Sequence, residues 1–170
     1  MADFDNLVAC YYEPLYQFAF SLTRDEAESC DLVQQSFFIW ANKGHQLRDQ
    51  TKVKTWLFTT LHREFLSLCR KRIRFPHVEL ENAAAELPTV SPPTGSHIDA
   101  AQVLVVLAQL DEIYQAPVAL FYLQDYSYNE IATILEVPLG TVKSRLSRGL
   151  GRWHELLTGE KITTPGRTNL

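Results

Sequence analysis

Cations and hydroxyl groups are concentrated between residues 139 and 153, near the C-terminal end of this 170-residue chain. The stretch contains four cations and no acid. Lysine and arginine donate hydrogen bonds to phosphate oxygens and base edges, and short hydroxyl side chains let a helix lie close to a duplex. A solvated basic face on an ordinary amphipathic helix is the alternative interpretation. The nucleic-acid-binding face that this pattern predicts consists of Thr141, Lys143, Ser144, Arg145, Ser147, Arg148 and Arg152.

An apolar stripe runs along the other side of the same stretch. Its members recur at helical spacing, so one face of the predicted helix can pack on a partner while the other meets a ligand. Pro138 suits the first helical position, where its missing N–H costs no hydrogen bond. The stripe consists of Val142, Leu146, Leu150 and Trp153.

A shorter helix is predicted just before this one. Ser127 and Glu130 form a Ser-x-x-Glu capping box that marks its start. Glu136 and Val137 make the turn between the two helices. Two short helices joined by so tight a turn are typical of a helix-turn-helix, whose second helix enters the DNA major groove. The apolar face of the first helix is expected at Tyr128, Ile131, Ala132 and Leu135.

Longer helices are predicted in residues 1–75. Apolar residues between Phe4 and Leu22 follow helical spacing, and Pro14 among them predicts a kink or a break. A further helix is predicted to begin after Thr51 and to end near Arg74.

Between these two helices, Thr23 and Glu26 form a second capping box. It predicts a helix that runs to about Asn42. The inward face of this helix is expected to contain Ala27, Leu32 and Phe38.

Residues 76–97 differ from the rest in composition, because four prolines and a glycine interrupt an acidic stretch. This composition predicts a flexible linker. Residues 98–158 are predicted to form a second helical domain, in which Pro117 opens a helix, and 159–170 a disordered tail. The predicted fold class is all-α, with two small helical domains that are mobile relative to each other and a helix-turn-helix in the second.

The net charge of −4 is distributed in blocks. Residues 1–31 hold seven acids and one arginine, and residues 76–99 hold four acids and no lysine or arginine. Residues 62–74, in contrast, hold five lysines or arginines and one acid. The distribution is compatible with a nucleic-acid partner, although cations at a helix C-terminus also suit the helix dipole.

Residues 127–149 are similar to a known family. Ser-Tyr-Asn-Glu-Ile-Ala at 127–132 and Val-Pro-Leu-Gly-Thr-Val-Lys-Ser-Arg-Leu-Ser-Arg-Gly at 137–149 resemble the promoter-reading helix-turn-helix of sigma factors. The short, extracytoplasmic-function (ECF) group of the sigma-70 family is the one resembled. The resemblance implies that the last helix reads the −35 promoter element. Glu136 differs from the glycine that this family usually has at the turn, where a left-handed residue ends the helix.

A second resemblance lies upstream. Asp-Leu-Val-Gln-Gln-Ser-Phe-Phe-Ile-Trp-Ala at 31–41 is similar to the sigma-family helix that binds the clamp helices of the RNA polymerase β′ subunit. A contact with the polymerase β flap is also implied by the family. The residues that the resemblance implies for core polymerase binding are Asp31, Gln34, Gln35, Phe37 and Phe38.

Trp56-Leu57-Phe58 and the helix that follows resemble the sigma-factor element that melts the promoter and binds the −10 region. Bases of a melted strand stack on aromatic rings in basic grooves, and an extruded base needs a pocket. Glu64 stands where many family members have Asn. The candidate pocket is the loop 46–54, with Arg48, Lys52 and Lys54, and the candidates for backbone contact are Arg63, Arg70, Lys71 and Arg72.

The resemblance of these motifs implies a sigma factor that directs RNA polymerase core to promoters and is controlled by an anti-sigma factor. One alternative is an autonomous helix-turn-helix regulator that binds DNA as a dimer without polymerase. Another is a helical adaptor whose basic helix binds an acidic protein, which competition with nucleic acid would distinguish.

The sequence predicts no enzyme, no cofactor and no metal site, because no nucleophile arrangement, P-loop or metal-ligand spacing is present. Three widely spaced cysteines predict free thiols in a reducing compartment. The N-terminus lacks a signal-peptide pattern, and no apolar run is long enough to span a membrane. We therefore expect a cytoplasmic protein that is monomeric when free. The cysteines are Cys10, Cys30 and Cys69.

Overall fold

The computed structural model describes residues 4–75 and 100–159, and these residues form seven α-helices and two single turns of 3₁₀-helix. No strand occurs within these two ranges. The first part contains α1 (Phe4–Thr23), α2 (Glu26–Lys43) and α3 (Val53–Arg74), with the 3₁₀ turns at Gly44–Gln46 and Gln50–Lys52. The second part contains α4 (Ala100–Leu107), α5 (Glu112–Gln124), α6 (Tyr128–Leu135) and α7 (Leu139–Thr158). The prediction of an all-α fold is confirmed.

Helix α1 continues through Pro14 without a break, so a break at this proline, one of the two predicted alternatives, does not occur. Proline removes one backbone N–H and with it one helical hydrogen bond. The next turns carry Leu15, Phe18 and Ala19, all with no exposed surface. Burial of these side chains outweighs the lost bond, since each fully buried large apolar side chain contributes about 1.5–3 kcal/mol.

The start of α2 differs from the predicted capping box. Because α1 extends to Thr23, Asp25 becomes the N-cap, and its Oδ1 accepts a hydrogen bond of 2.8 Å from the Glu28 N–H. Thr23 instead shares a 2.7 Å hydrogen bond with the Ser29 hydroxyl. The sequence pattern located the helix correctly but assigned the cap two residues too early.

The predicted inward face of α2 is also wrong at two of its three positions. Leu32 is buried as expected, but Ala27 and Phe38 are exposed. Phe37 takes the inward position and packs edge-on against Phe4 at 6.3 Å between ring centroids. The buried stripe has helical spacing that excludes residues 27 and 38, and it consists of Ser29, Leu32, Val33, Ser36 and Phe37.

Helix α5 begins five residues before the predicted start at Pro117. Glu112 is its first residue and Asp111 precedes it as N-cap. Pro117 is buried inside the helix, between Ala116 and Val118. As at Pro14, the apolar neighbours stabilise a helix that the proline alone would interrupt.

Helix α7 crosses α5 closely at Gly149. A Cβ atom at this position would lie 2.7 Å from Val118 Cγ2 and 3.0 Å from Tyr114 Cβ. The predicted apolar stripe faces this contact, with Val142, Leu146 and Trp153 buried. The remaining member, Leu150, is half-buried against the same core, and Pro138 precedes the helix as N-cap.

The two parts of the molecule pack on one another, α1 against α4 and α5, and α3 against α6. Phe58 and Tyr126 meet edge to face across this contact at 5.6 Å between centroids. Arg24 donates a 2.9 Å hydrogen bond to the Leu110 carbonyl, and Gln124 donates one of 3.5 Å to the Pro14 carbonyl. The predicted linker at 76–97 and all of the predicted tail except Gly159 lie outside the described residues, and relative mobility of the two parts stays a prediction.

None of the helices in the described ranges is long and apolar enough to cross a membrane. Within the same ranges no group of His, Cys, Asp and Glu side chains could hold a metal ion. The three cysteines are free thiols.

Candidate nucleic-acid interface

The cap of α6 fixes the start of the helix-turn-helix. The Ser127 N–H donates to Glu130 Oε2 at 2.8 Å, and the Glu130 N–H donates to Ser127 Oγ at 3.3 Å. These two bonds are the reciprocal pair of a capping box, which confirms the prediction. The hydrogen bonds from Ser127 also hold the pKa of the Glu130 carboxyl below its usual range.

The turn between α6 and α7 is left-handed at Glu136, with φ 56° and ψ 44°. Non-glycine residues rarely adopt this conformation because the Cβ crowds the backbone. The following N–H, of Val137, donates to the Ala132 carbonyl at 3.2 Å and closes the helix end. The turn is therefore formed in the usual way although its residue is Glu instead of Gly.

The predicted binding face of α7 is mostly open to solvent. Thr141 and Arg145 are half-buried, and the other five residues are exposed. Ser144 Oγ donates to the Thr141 carbonyl at 3.1 Å, and Arg152 pairs with Glu155 at 3.2 Å. The exposed members lie on the side of α7 opposite the buried stripe, so their donors are available to a duplex. They are Lys143, Ser144, Ser147, Arg148 and Arg152.

The predicted −10 residues of α3 have different surroundings. Arg70 and Lys71 are exposed at its C-terminal end, whereas Arg72 pairs with Glu28 of α2. Arg63 pairs with Glu136 across the contact between the two parts of the molecule. This pairing holds the pKa of the Glu136 carboxyl below its ordinary value and raises that of the Arg63 guanidinium.

Lys54 also faces the second part of the molecule. Its Nζ donates to the Gln124 carbonyl at 3.4 Å and lies 4.9 Å from the centroid of the Tyr126 ring. Arg48 and Lys52 stay exposed, with Lys52 4.0 Å from the Asp49 carboxylate. The three predicted loop cations are thus not gathered in one place.

A cavity of about 510 Å³ lies beside the 3₁₀ turn that follows α2. It includes Gln46 of the predicted loop pocket, but none of the loop cations lines it. Sequence reasoning missed the contributions of α2 and α3, because a lysine at a helix end and a carboxylate at mid-helix carry no pocket signal. The lining consists of Ile39, Lys43, Gln46, Leu47, Trp56, Thr60, Arg63 and Glu64.

Trp56, which lines this cavity, packs against a second tryptophan, Trp40. Trp40 and Trp56 meet edge to face at 5.1 Å between centroids. Gly44 lies directly against the Trp40 ring, where a Cβ would be 2.6 Å from ring carbons. The φ of Gly44 is −59°, so close approach, and not backbone conformation, requires glycine here.

The predicted polymerase-binding face of α2 is exposed at Asp31, Gln34, Gln35 and Phe38. Phe38 has 64% of its surface exposed, which is unusual for a phenylalanine. Phe37 is 6% exposed and belongs to the core, so its side chain does not contribute to this face. The four exposed residues, without Phe37, form one polar and aromatic surface.

His62 is buried where α3 faces the helix-turn-helix, and sequence reasoning did not single it out. Burial lowers the pKa of His62 to about 4, the nearby Glu136 opposes this shift, and Arg145 adds to it. The imidazole is therefore neutral at physiological pH.

Comparisons with known proteins place these surfaces in a family. Residues 7–75 match the family described as Sigma-70 region 2, and residues 100–152 match Sigma-70, region 4. The chain is 30% identical over 135 residues to the ECF RNA polymerase sigma factor SigL of Mycobacterium tuberculosis, covering 78% of this chain and 76% of SigL. It belongs to the ECF group of the sigma-70 family.

Further relatives agree with this assignment. This sigma factor is 25% identical over 149 residues to the ECF sigma factor SigM of Bacillus subtilis, covering 87% of its own length and 91% of SigM. A co-crystal structure of the sigma factor RpoE with the anti-sigma factor NepR from Bartonella quintana aligns with a TM-score of 0.75 at 29% identity. The alignment covers 92% of this chain and 98% of the RpoE chain.

The matched regions coincide with the two parts of the described structure. The exposed face of α2, the cavity and α3 belong to region 2 of this sigma factor, and the helix-turn-helix belongs to region 4. The expected family is therefore confirmed, while the role of each residue on these surfaces stays a prediction.

Proposed function

We propose that this sigma factor binds RNA polymerase core through α2 and reads two promoter elements with α3 and α7. The observation that carries the proposal is the polar face of α7, opposite a buried stripe and next to a well-formed turn. A helix with these two faces can pack on its own domain and enter the DNA major groove at the same time.

The −35 element is assigned to α7 and the −10 region to α3 with the cavity beside it. Exposed Arg70 and Lys71 would contact phosphates of the melted strand. The cavity between Trp56 and Glu64 would receive an extruded base, because it is polar, open and bordered by an aromatic ring. Arg48 and Lys52 would guide the strand towards it as exposed cations.

Core polymerase is assigned to the exposed face of α2. We expect Asp31→Lys and Gln34→Ala to weaken binding to core polymerase without loss of helical content, because both side chains point to solvent. Binding to immobilised core, with circular dichroism for the fold, measures both effects. Glu26→Gln, in the first turn of the same helix, serves as a control with an exposed polar side chain outside the predicted face. Normal affinity of both α2 variants would contradict the assignment.

An anti-sigma partner and a cytoplasmic location are further parts of the proposal. The RpoE chain that aligns with this one was crystallised with the anti-sigma factor NepR. A regulator of that kind would act on this chain where polymerase and promoter do, in the cytoplasm. Polymerase provides the catalysis, so the sigma factor needs no catalytic residues of its own.

Transcription from a random promoter library by core polymerase, with and without this protein, tests the function. The proposal predicts that a small set of promoters with shared −35 and −10 sequences is transcribed only when the protein is present. Enriched promoters that bind the protein equally well without core polymerase, as a dimer, would instead indicate an autonomous regulator. No enrichment at all would refute both.

A further inference from the structure

The two parts of the molecule meet through side chains that the proposed function assigns to DNA. Arg63 of α3 donates from Nη2 to one oxygen of Glu136, and from Nε to the other at 3.4 Å. Lys54, at the start of the same helix, contacts the carbonyl of Gln124 and the ring of Tyr126. Two cations of the −10 surface are therefore engaged by residues that belong to region 4.

The start of the recognition helix is partly covered by the same contact. Arg145 is half-buried, and it lines a cavity of about 280 Å³ together with His62 and Leu66 of α3 and Ile113 of α5. Arg148, one turn further along α7, is exposed to solvent. The side chain of Arg145, a predicted base reader, therefore faces α3 and is not free to enter a DNA groove.

We propose that Arg63 and Glu136 form a latch that holds regions 2 and 4 together in the free protein and must open before promoter DNA is bound. The inference rests on the proposed function and names a regulation of the same DNA-binding surface. While the latch is closed, a carboxylate occupies the guanidinium that a promoter phosphate would need. DNA and Glu136 then compete for one cation.

Glu136 is well placed for this role because of its left-handed backbone. The conformation ends α6 and leaves the side chain at the corner of the helix-turn-helix, beside α3. Glycine would form the same turn without a side chain, and therefore without the ion pair. The use of Glu at a strained position is explained if the carboxylate has a function outside its own motif.

The ion pair is suited to opening and closing. The side chains of Arg63 and Glu136 are 59% and 54% exposed, so water and salt weaken their attraction. Elsewhere on the same contact, Phe58 and Tyr126 provide an apolar seam that is independent of this ion pair. A weak pair beside such a seam adjusts the fraction of open molecules, and the apparent affinity for DNA is proportional to that fraction.

Charge reversal tests whether the pair closes the molecule. Small-angle scattering of the full chain is measured for Glu136→Lys, for Arg63→Glu and for the double variant. Each single variant places like charges together and should increase the radius of gyration, whereas the double variant restores an opposite pair and should return it towards the wild-type value. Glu13→Lys makes the same charge change on α1, where the carboxylate bonds Gln17 of its own helix, and should have no effect. Unchanged scattering in both single variants would overturn the latch.

A second cycle tests whether the latch limits DNA binding. Affinity for a pool of random-sequence duplexes is measured at low ionic strength for Glu136→Gln, Arg63→Ala and the double variant. Glu136→Gln should raise affinity about two- to fivefold, the range expected for loss of one exposed pair. In the Arg63→Ala background the same substitution should give no further gain, because no latch remains.

The outcomes distinguish failure of the latch from failure of the proposed promoter binding. A gain from Glu136→Gln that persists in the Arg63→Ala background would mean that the carboxylate repels DNA directly, and the latch would be overturned. If no variant binds duplex DNA while scattering still follows the charge reversal, the proposed promoter binding fails and the closing contact alone is supported.

Discussion

At the level of single residues, two arginines on one face of α7 illustrate how surroundings separate roles. Arg145 is half-buried beside α3, near the start of the helix, where recognition helices contact base edges. Arg152 is exposed near its end and pairs with Glu155 one turn away. The roles we propose are sequence reading for Arg145, once it is released from α3, and phosphate neutralisation for Arg152.

We expect Arg145→Ala to weaken binding to the selected −35 sequence by about 1–3 kcal/mol and to relax its specificity, as loss of a bidentate base contact does. Arg152→Ala should weaken binding to all sequences alike. It should also lower the slope of log K against log salt by about one, because about one ion fewer is released on binding. Titrations of cognate and scrambled promoters over a range of salt distinguish the two. Equal losses on both promoters for Arg145→Ala would exclude it as a base reader.

His62 predicts a pH dependence of stability. Burial lowers its pKa from an ordinary value of 6.5 to about 4, so between these values the unfolded chain binds a proton that the folded chain does not. The free energy of unfolding should therefore fall as the pH falls from about 6.5 to about 4, by up to about 3 kcal/mol. Above pH 6.5 the contribution is fully present.

Urea unfolding of wild type and His62→Gln across this pH range measures the effect. The variant should show a flatter pH profile than wild type. His154→Gln, at an exposed position of α7, should keep the wild-type profile. An unchanged slope in His62→Gln would show that another group controls the acid transition.

At the level of helices, α5 and α7 approach so closely that only glycine fits between them. Gly149 and Gly151 lie two residues apart on α7, and only Gly149 faces α5. Sequence alone does not distinguish them, because both are glycines in a helical pattern. Their difference arises from the crossing of the helices.

We expect Gly149→Ala to destabilise the protein by about 1–3 kcal/mol, because the new Cβ would lie 2.7 Å from Val118 and force the helices apart. At Gly151 no atom lies within 4 Å of an added Cβ, so Gly151→Ala should stabilise the helix by about 0.5–1 kcal/mol. Thermal unfolding of the two variants compares them directly. A stabilised Gly149→Ala protein would contradict the close crossing.

Features that depend on neighbouring residues could be predicted from the sequence, whereas features that depend on distant contacts could not. The Ser127 capping box and the bounds of α3 depend on neighbouring residues, and both were predicted. The cap at Asp25 depends on where α1 ends, and the start of α5 depends on burial around Pro117, so neither was. The Arg63–Glu136 pair joins residues 73 apart, and no local pattern could indicate it. Cavity residues such as Lys43 were missed for the same reason.

At the level of the whole molecule, the parts that match Sigma-70 region 2 and region 4 share an apolar seam at Phe58 and Tyr126. Such interfaces within one chain resemble transient protein contacts, so closing and opening are both accessible. Residues 76–97, outside the described ranges, connect the two regions in sequence and are acidic and rich in proline.

We expect limited proteolysis of the free protein to cut within residues 76–97 and to leave two helical fragments. Because the seam joins them, the fragments should elute together in dilute salt, and Glu136→Lys should make them elute separately. Gel filtration followed by mass spectrometry identifies both. A chain that resists cleavage at 76–97, or fragments that separate in the wild type, would contradict the expectation.

The missing side chain at Gly44 has a mechanical consequence. Because the Trp40 ring fills that space and meets Trp56 of α3 edge to face, the last turn of α2, the short loop and α3 are packed into one bracket. One arm of the bracket carries Phe38 and Asp31, and the other borders the cavity beside Glu64. If α2 binds the polymerase as proposed, a tilt of α2 on the enzyme would also turn the cavity, and the polymerase contact would set the angle at which the cavity meets a DNA strand.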